Sequence, residues 1–398
     1  MPGGAMSSIA VKPLPGSGPE LSGSSRLSPG LRSVVTWDVD PHGYCTEHEH
    51  ATRAHFARRL AALKGCTFAG VYDPRQAYDS VPYFVPSDTL TDPALARAMG
   101  IAGVDDLFGG VVPYAFVATK VITHPLIGAD ALRPEGWSLR FAPEVVDAVL
   151  LGYSCFSREE ARKAGRMLLE GGAARVKPVI ATGGRGQVVV GGVDALDRCL
   201  DAMDEAEITT RGLVLEENLD RPRTYSVGQV SVGHLVASYC GEQRSTRDNA
   251  GQEVYGGSDL ILVRGDFDRL LAVVNPAPPL RRAIEQARHY HRAVSGCYPG
   301  FFASRVNYDV AQGMGSRGDW RSGVLEQSWR VGGATGAEIA ALEAFHAHPE
   351  CDCVLASSFE VYGAAAPPAD AIVAYHGIDS EIGRLSKFTL LKRHADTP

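Results

Sequence analysis

Two acids, two lysines and a glycine-rich turn are the residues of this chain whose types and spacing can do chemistry. Phe301–Val310 (FFASRVNYDV) and Gly323–Trp329 (GVLEQSW) read as adjacent strands separated by the glycine-rich stretch Gly313–Ser322. The two-residue period of a strand puts Asn307 and Asp309 on one face, and Glu326, Ser328 and Arg330 together on another. If the strands pair with those faces aligned, Asp309 and Glu326 meet. Carboxylate oxygens held in that way suit Mg²⁺, which usually keeps waters and bridges to substrate phosphates. Two acids on a solvated hairpin are the plainer reading of the same residues.

The glycine-rich turn lies in Arg175–Val190 (RVKPVIATGGRGQVVV). Val176–Ile180 and Gln187–Val190 are short, apolar and β-branched, so they read as antiparallel strands around the loop Ala181–Gly186. Gly183, Gly184 and Gly186 let backbone N–H groups converge on an anion, and Lys177 and Arg185 add positive charge. The unit reads as a phosphate-covering flap, or as a plain surface hairpin. It is neither a P-loop nor a dinucleotide fingerprint, because a strand follows where both require a helix and Lys177 precedes the glycines. A second lysine, Lys120, interrupts the apolar run Tyr114–Leu126. A bare ammonium is costly to bury there, and a phosphate would repay that cost. A lysine that snorkels to the surface is the alternative.

Between these features lies Leu213–Leu219 (LVLEENL), an apolar strand interrupted by two carboxylates and followed by Pro222-Arg223. A strand turning between lobes can offer backbone groups to an adenine edge, with Glu216 or Glu217 accepting from ribose hydroxyls. An acidic exposed turn is the other reading. Gln243, Arg244 and Ser258 stand at strand ends, where substrates are often oriented.

The elements that must position these groups alternate. Met1–Gly30 is rich in proline, glycine and serine and reads as a disordered tail. Ser33–Val39 reads as a strand, Thr46 and Glu49 as a capping box for a helix to Lys64 with Gly65 as its stop, and Thr67–Tyr72 as a second strand. That succession is the start of a small doubly wound sheet. A short helix starts at Asp92-Pro93. The strand Leu150–Phe156, a helix capped by Ser157 and Glu160, the hairpin and a helix over Val193–Met203 follow. Beyond the hinge come paired strands over Tyr225–Tyr239, a long helix over Pro279–Val294, a helix over Gly336–His346 and a strand over Val354–Val361.

Bulk properties bound the function. A chain of 398 residues with 21% charged residues, a net charge of -7 and a pI near 6.0 carries no sign of a nucleic-acid surface or a polybasic membrane anchor. Its longest apolar runs fall far short of the roughly 20 residues of a membrane span. Eight cysteines without a regular framework, and no apolar segment after Met1, point to the cytoplasm. Cys351 and Cys353 lack the companions of a zinc site. The cluster Cys45, Glu47, His48, Glu49, His50 and His55 reads as a solvated helix start, because His48 and His50 point apart on a helix.

The order of lysine-bearing strand, glycine flap, return strand, acidic hinge and paired acids resembles the ATP-grasp superfamily. The biotin carboxylase-like branch and an uncharacterised bacterial domain-of-unknown-function family are the nearest likenesses. The resemblance spans roughly Ser33 to Val361 and implies an α+β fold, with two α+β lobes holding ATP between them after a small Rossmann-like α/β lobe. It implies a pre-grasp lobe over 31–120, a flap lobe over 121–215 and a C-terminal lobe over 216–398. By that likeness Lys120, Lys177, Gly183, Gly184, Arg185, Gly186, Glu216, Glu217 and Leu219 bind the nucleotide, Asp309, Glu326 and Ser328 hold Mg²⁺, and Arg330 and Lys177 act in catalysis. The superfamily has Glu-x-Asn-x-Arg on its second metal strand, and Ser328 departs from it. The implied activity is a ligase that activates a carboxylate as an acyl phosphate for an amine, thiol or related nucleophile, both small molecules. Bicarbonate activation and a nucleotide-binding regulator are the alternatives. No nucleic acid or membrane partner is implied, and a homo-oligomer is left open.

Overall fold

The computed structural model describes residues 32–39, 46–180 and 186–393. The first lobe contains β1 (Ser33–Trp37), α1 (Glu47–Lys64), β2 (Thr67–Val71), β3 (Tyr83–Pro86) and α2 (Pro93–Ala98), with its three strands parallel in the order β2-β1-β3. The capping box forms at α1, where the Thr46 N–H donates to Glu49 Oε2 at 3.0 Å, and Gly65 ends the helix at φ 64°. Val34, Val85, Phe56 and Leu60 bury the inner faces.

β4 (Gly110–Val111) leads into two 3₁₀ turns, Ala115–Ala118 and Lys120–Thr123, and then α3 (Phe141–Val145). The second lobe is β5 (Gly152–Cys155), α4 (Arg158–Leu169), β6 (Ala174–Pro178), β7 (Val188–Val190), α5 (Val193–Asp201), α6 (Glu205–Arg211) and β8 (Leu213–Glu217). Its antiparallel sheet runs β5-β8-β6-β7 around a core that includes Leu168, Val176, Leu196 and Leu215.

The third lobe is larger. Its elements are β9 (Asp220–Val232), β10 (Leu235–Arg247), β11 (Glu253–Arg264), α7 (Phe267–Val274), α8 (Pro278–Cys297), β12 (Phe302–Ala303), β13 (Arg305–Met314), β14 (Trp320–Ser328), α9 (Thr335–Ala347), β15 (Cys353–Tyr362), β16 (Ile372–Asp379) and β17 (Gly383–Arg393). Eight strands form one antiparallel sheet, β14-β13-β9-β10-β11-β15-β17-β16. One face meets α8 through Ile284, Ala287, Tyr290 and Val294, packed with Val227, Tyr308, Val310 and Val324. The other meets α1 and α9 through Ile339, Leu342 and Phe345, with Val230, Tyr239 and Leu262. Each fully buried side chain of this size contributes about 1.5–3 kcal/mol. The α+β class, with a small parallel lobe first, is as expected.

Several elements differ from the sequence reading. β6 runs two residues earlier than expected, because it pairs with β8 from Ala174↔Glu217 to Pro178↔Leu213 and Pro178 has no N–H with which to continue a ladder. The polar stretch around Gln243 lies inside a long β10–β11 hairpin, not at strand ends. Gly241 and Gly257 permit the close approach there: a Cβ on Gly241 would meet Asp259 O at 1.8 Å, and Gly257 has φ 128°. The helix start at 46–50 is not simply solvated. His48 is buried, and its backbone N–H and Nδ1 lie 2.9 and 3.1 Å from Asp379 Oδ2 on β16. Helix α6 and strands β16 and β17 carry too little periodic pattern to be read from sequence. Cys45 lies outside the described residues.

Candidate functional site

The pairing of β13 with β14 sets Asp309 directly opposite Glu326, with a bulge just beyond them. Asp309 is half-buried and its Oδ1 accepts from Gln243 Nε2 at 2.7 Å and from Asn307 Nδ2 at 2.9 Å. Burial first, and then the facing charge of Glu326, push its carboxyl up to about 6. An acid raised in this way by the one facing it marks a cation site in waiting: a divalent ion between the two would remove the repulsion, and carboxylate oxygens are the ligands Mg²⁺ prefers. Among the described residues no group of three or more His, Cys, Asp or Glu side chains is placed to hold a metal ion by itself.

Lys120 completes this side of the site. It is 5% exposed, and its Nζ lies 2.7 Å from Glu326 Oε2. The strand that carries Glu326 also holds the lysine's backbone, since Gln327 Nε2 donates to Val117 O at 3.0 Å and Thr119 O at 2.7 Å. Four residues on, His124 is fully buried and its Nε2 lies 3.2 Å from Glu216 Oε2. The other oxygen of Glu216 accepts from Lys177 Nζ at 2.8 Å. Burial alone would raise the Glu216 carboxyl, but the Lys177 charge and then His124 outweigh it and hold it at about 2. The short segment 120–124 therefore touches both charge pairs, one on β14 and one between β6 and β8.

Glu216 and Glu217 have separate environments. Glu216 is inside, on Lys177 and His124. Glu217 accepts from Arg321 Nε at 3.0 Å and Nη2 at 2.8 Å and from the Leu151 N–H at 2.9 Å. Both carboxylates are engaged within the protein, so the structure does not single out either as a ribose contact. Leu219 is buried with Leu150, Ala311 and Leu325, on the boundary between the second and third lobes. Gly186 has φ 69°, and Gly183, Gly184 and Arg185 lie outside the described residues.

Ser328 and Arg330 are each engaged by groups other than the two acids. Ser328 stands opposite Asn307 in the ladder, and its Oγ accepts from Arg305 Nη1 at 3.3 Å. Arg330 Nε lies 3.3 Å from Asp88 Oδ1 of the first lobe, and its Nη1 donates to Val331 O at 3.1 Å.

Behind the acids runs a buried polar network that sequence reasoning missed. Arg305 and Glu338, 1% and 0% exposed, are joined by Nε–Oε1 and Nη2–Oε1 contacts of 3.0 and 2.9 Å. Tyr239 Oη lies 2.6 Å from Glu338 Oε1 and 2.9 Å from Asn307 Oδ1, and Ser226 Oγ lies 2.6 Å from that same amide oxygen. Burial and the neighbouring Glu338 raise the Tyr239 phenol well above its ordinary value, so it keeps its proton. Tyr239 reaches Asn307 across β9 because Gly228 lies between them; a Cβ there would meet the phenol oxygen at 2.3 Å. The only sequence signal was the asparagine two residues before Asp309.

Comparisons with known proteins agree with this architecture. The N5-carboxyaminoimidazole synthetase from Staphylococcus aureus complexed with ADP is similar at a TM-score of 0.52 and 12% identity, over 92% of this chain and 95% of that one. The biotin carboxylase from Campylobacter jejuni in a β,γ-ATP complex gives 0.48 and 11%, over 91% and 87%. The phosphoribosylamine–glycine ligase from Thermotoga maritima gives 0.45 and 13%, over 91% of each chain. The likeness to the N5-carboxyaminoimidazole synthetase shows the fold, which is the ATP-grasp fold. No curated protein matches the chain. The family model described as "Protein of unknown function (DUF3182)" matches residues 34–389, and the chain belongs to that family.

Proposed function

We propose that the protein is an ATP- and Mg²⁺-dependent ligase that activates a small carboxylate as an acyl phosphate for attack by an amine, thiol or related nucleophile. The observation that carries this reading is the convergence of Asp309, Glu326 and Lys120 at one point on β13 and β14. Asp309 and Glu326 would hold the metal, whose bound charge would neutralise the polyphosphate. Lys120 and Lys177 would bind phosphate oxygens by exchanging their carboxylate partners for them. Gly183–Gly186 would cover the site and exclude water, and Leu219 with the backbone of 216–219 would meet the base. Arg330 would reach the transferring group or the substrate carboxylate by leaving Asp88. No side chain acts as nucleophile, so positioning and charge stabilisation supply the rate.

The lobe bounds 31–120, 121–215 and 216–398 belong to the same proposal, as does a cytoplasmic setting. Among the described residues no helix is long and apolar enough to cross a membrane.

The test is ADP release by the full chain with Mg²⁺ and ATP against pools of small carboxylates combined with amines and thiols. Release that requires both a carboxylate and a nucleophile supports the ligase. Bicarbonate-dependent release without a nucleophile points to carboxylase-type activation. Nucleotide binding without turnover in every mixture overturns the ligase in favour of a regulator.

A further inference from the structure

The hydrogen count around Asn307 allows its amide two settings. Tyr239 has one hydroxyl hydrogen and two acceptors within reach, Glu338 Oε1 at 2.6 Å and Asn307 Oδ1 at 2.9 Å. The carboxylate is nearer and charged, which makes it the stronger acceptor. Once the hydrogen is directed there, the phenol oxygen faces Asn307 with lone pairs, and the amide must donate to it. The Ser226 hydroxyl, 2.6 Å away, can rotate to accept as well. Exchanging the amide's oxygen and nitrogen satisfies both neighbours.

That exchange changes what Asp309 meets. In one setting the amide N–H donates to Asp309 Oδ1 at 2.9 Å. In the other an amide oxygen occupies the same place, and two oxygens at that distance repel unless a cation lies between them. Neighbouring oxygens of a Mg²⁺ octahedron with bonds of 2.0–2.1 Å are roughly 3 Å apart, which matches. Asn307 is also the direct ladder partner of Ser328, whose hydroxyl is engaged by Arg305. The acid pair thus has an amide within reach on the strand opposite the one where the superfamily pattern carries it.

We propose that Asn307 is the third protein ligand of the cation held by Asp309 and Glu326, contributed by turning its amide over when the cation arrives. This rests on the metal-site reading above. Tyr239 and Ser226 serve as the two-way seat of the amide, accepting from its N–H in the bound setting and donating to its oxygen in the free one.

The experiment uses the full chain with Mn²⁺ and a non-hydrolysable ATP analogue, read by electron paramagnetic resonance. N307A is expected to lower Mn²⁺ affinity at least about tenfold, and N307A/S328N to recover most of it by returning an amide oxygen from the facing strand. A measurement on the unsubstituted chain covers the case in which N307A fails to fold. With asparagine labelled with ¹³C at the side-chain carbonyl, a ligating amide places that carbon about 3 Å from Mn²⁺ and gives a strong electron-nuclear coupling. Absence of that coupling, or N307A binding Mn²⁺ like the parent, overturns the proposal. D309N separates the two levels. If it too leaves Mn²⁺ affinity unchanged, the metal-site reading fails; if it abolishes binding while N307A does not, only the Asn307 ligand fails.

Discussion

Lys120 Nζ sits 2.7 Å from Glu326 Oε2, so a lysine expected to hold phosphate is paired with an acid expected to hold metal. Without ligand the two neutralise each other, and a metal–polyphosphate complex would offer each a new partner of opposite sign. K120M should therefore weaken binding of an ATP analogue by about tenfold or more, in line with about 1.5–3 kcal/mol for a hydrogen bond to a charged group. Calorimetric titration measures it. Unchanged affinity would remove Lys120 from the nucleotide site.

Glu216 gives the fold an acid limit. Its carboxyl is held at about 2, below the ordinary value of 4.5 that applies in the unfolded chain. The unfolded state then binds the proton first, so the stabilisation is fully present above about pH 4.5 and is lost as pH falls towards 2. That difference is of order 3 kcal/mol. E216Q should be less stable at pH 7, and its urea midpoint should fall less between pH 4.5 and 3 than the parent's. Parallel slopes for the two proteins in that window would contradict the assignment.

Arg305 and Glu338 are both taken out of water, which makes single and double replacements differ in kind. E338L or R305M alone leaves a buried charge without its partner and should cost about 3–5 kcal/mol. R305M/E338L should recover most of that loss. Equilibrium unfolding of the four proteins gives the coupling. Additive losses would mean that the two side chains act independently.

Asp379 caps the start of α1 from β16 by accepting the His48 N–H, and it also accepts the N–H groups of Glu381 and Ile382 at 2.9 and 3.0 Å. Those bonds hold its carboxyl far below the usual range, although burial opposes them. D379A should destabilise the protein by about 1–3 kcal/mol through the lost cap and the orphaned donors. The loss should appear as a lower urea midpoint at neutral pH. An unchanged midpoint would mean that the first lobe does not depend on this contact.

How much of this was legible in the sequence follows from how local each signal is. Asp309 and Glu326 could be paired because strand period and one intervening turn decide their faces. The partners of Lys120 and Lys177 could not be read, since the contacts depend on where a 3₁₀ turn and the hinge strand come to rest in space. His124 gave no signal at all: a histidine at the end of an apolar run looks like any other until Glu216 is set beside it. Gln243, Arg244 and Ser258 read as strand ends because Gly241 and Gly257 stand close to them in the sequence. In the fold those glycines mark close backbone approach within a long hairpin. Arg330 was expected beside the acids from a two-residue alternation, but β14 ends at Ser328 and the alternation ends with it.

The hydrogen atom that serves as the side chain of Gly228 has an effect out of proportion to its size. By leaving a gap in β9, it lets an aromatic ring on one neighbouring strand contact an amide on the other, so that helix α9 communicates with the acids at right angles to the run of the backbone. Even an alanine methyl would close that window and sever the cross-sheet wiring. The electrical environment of the acids would then change, although no residue that touches them had been altered.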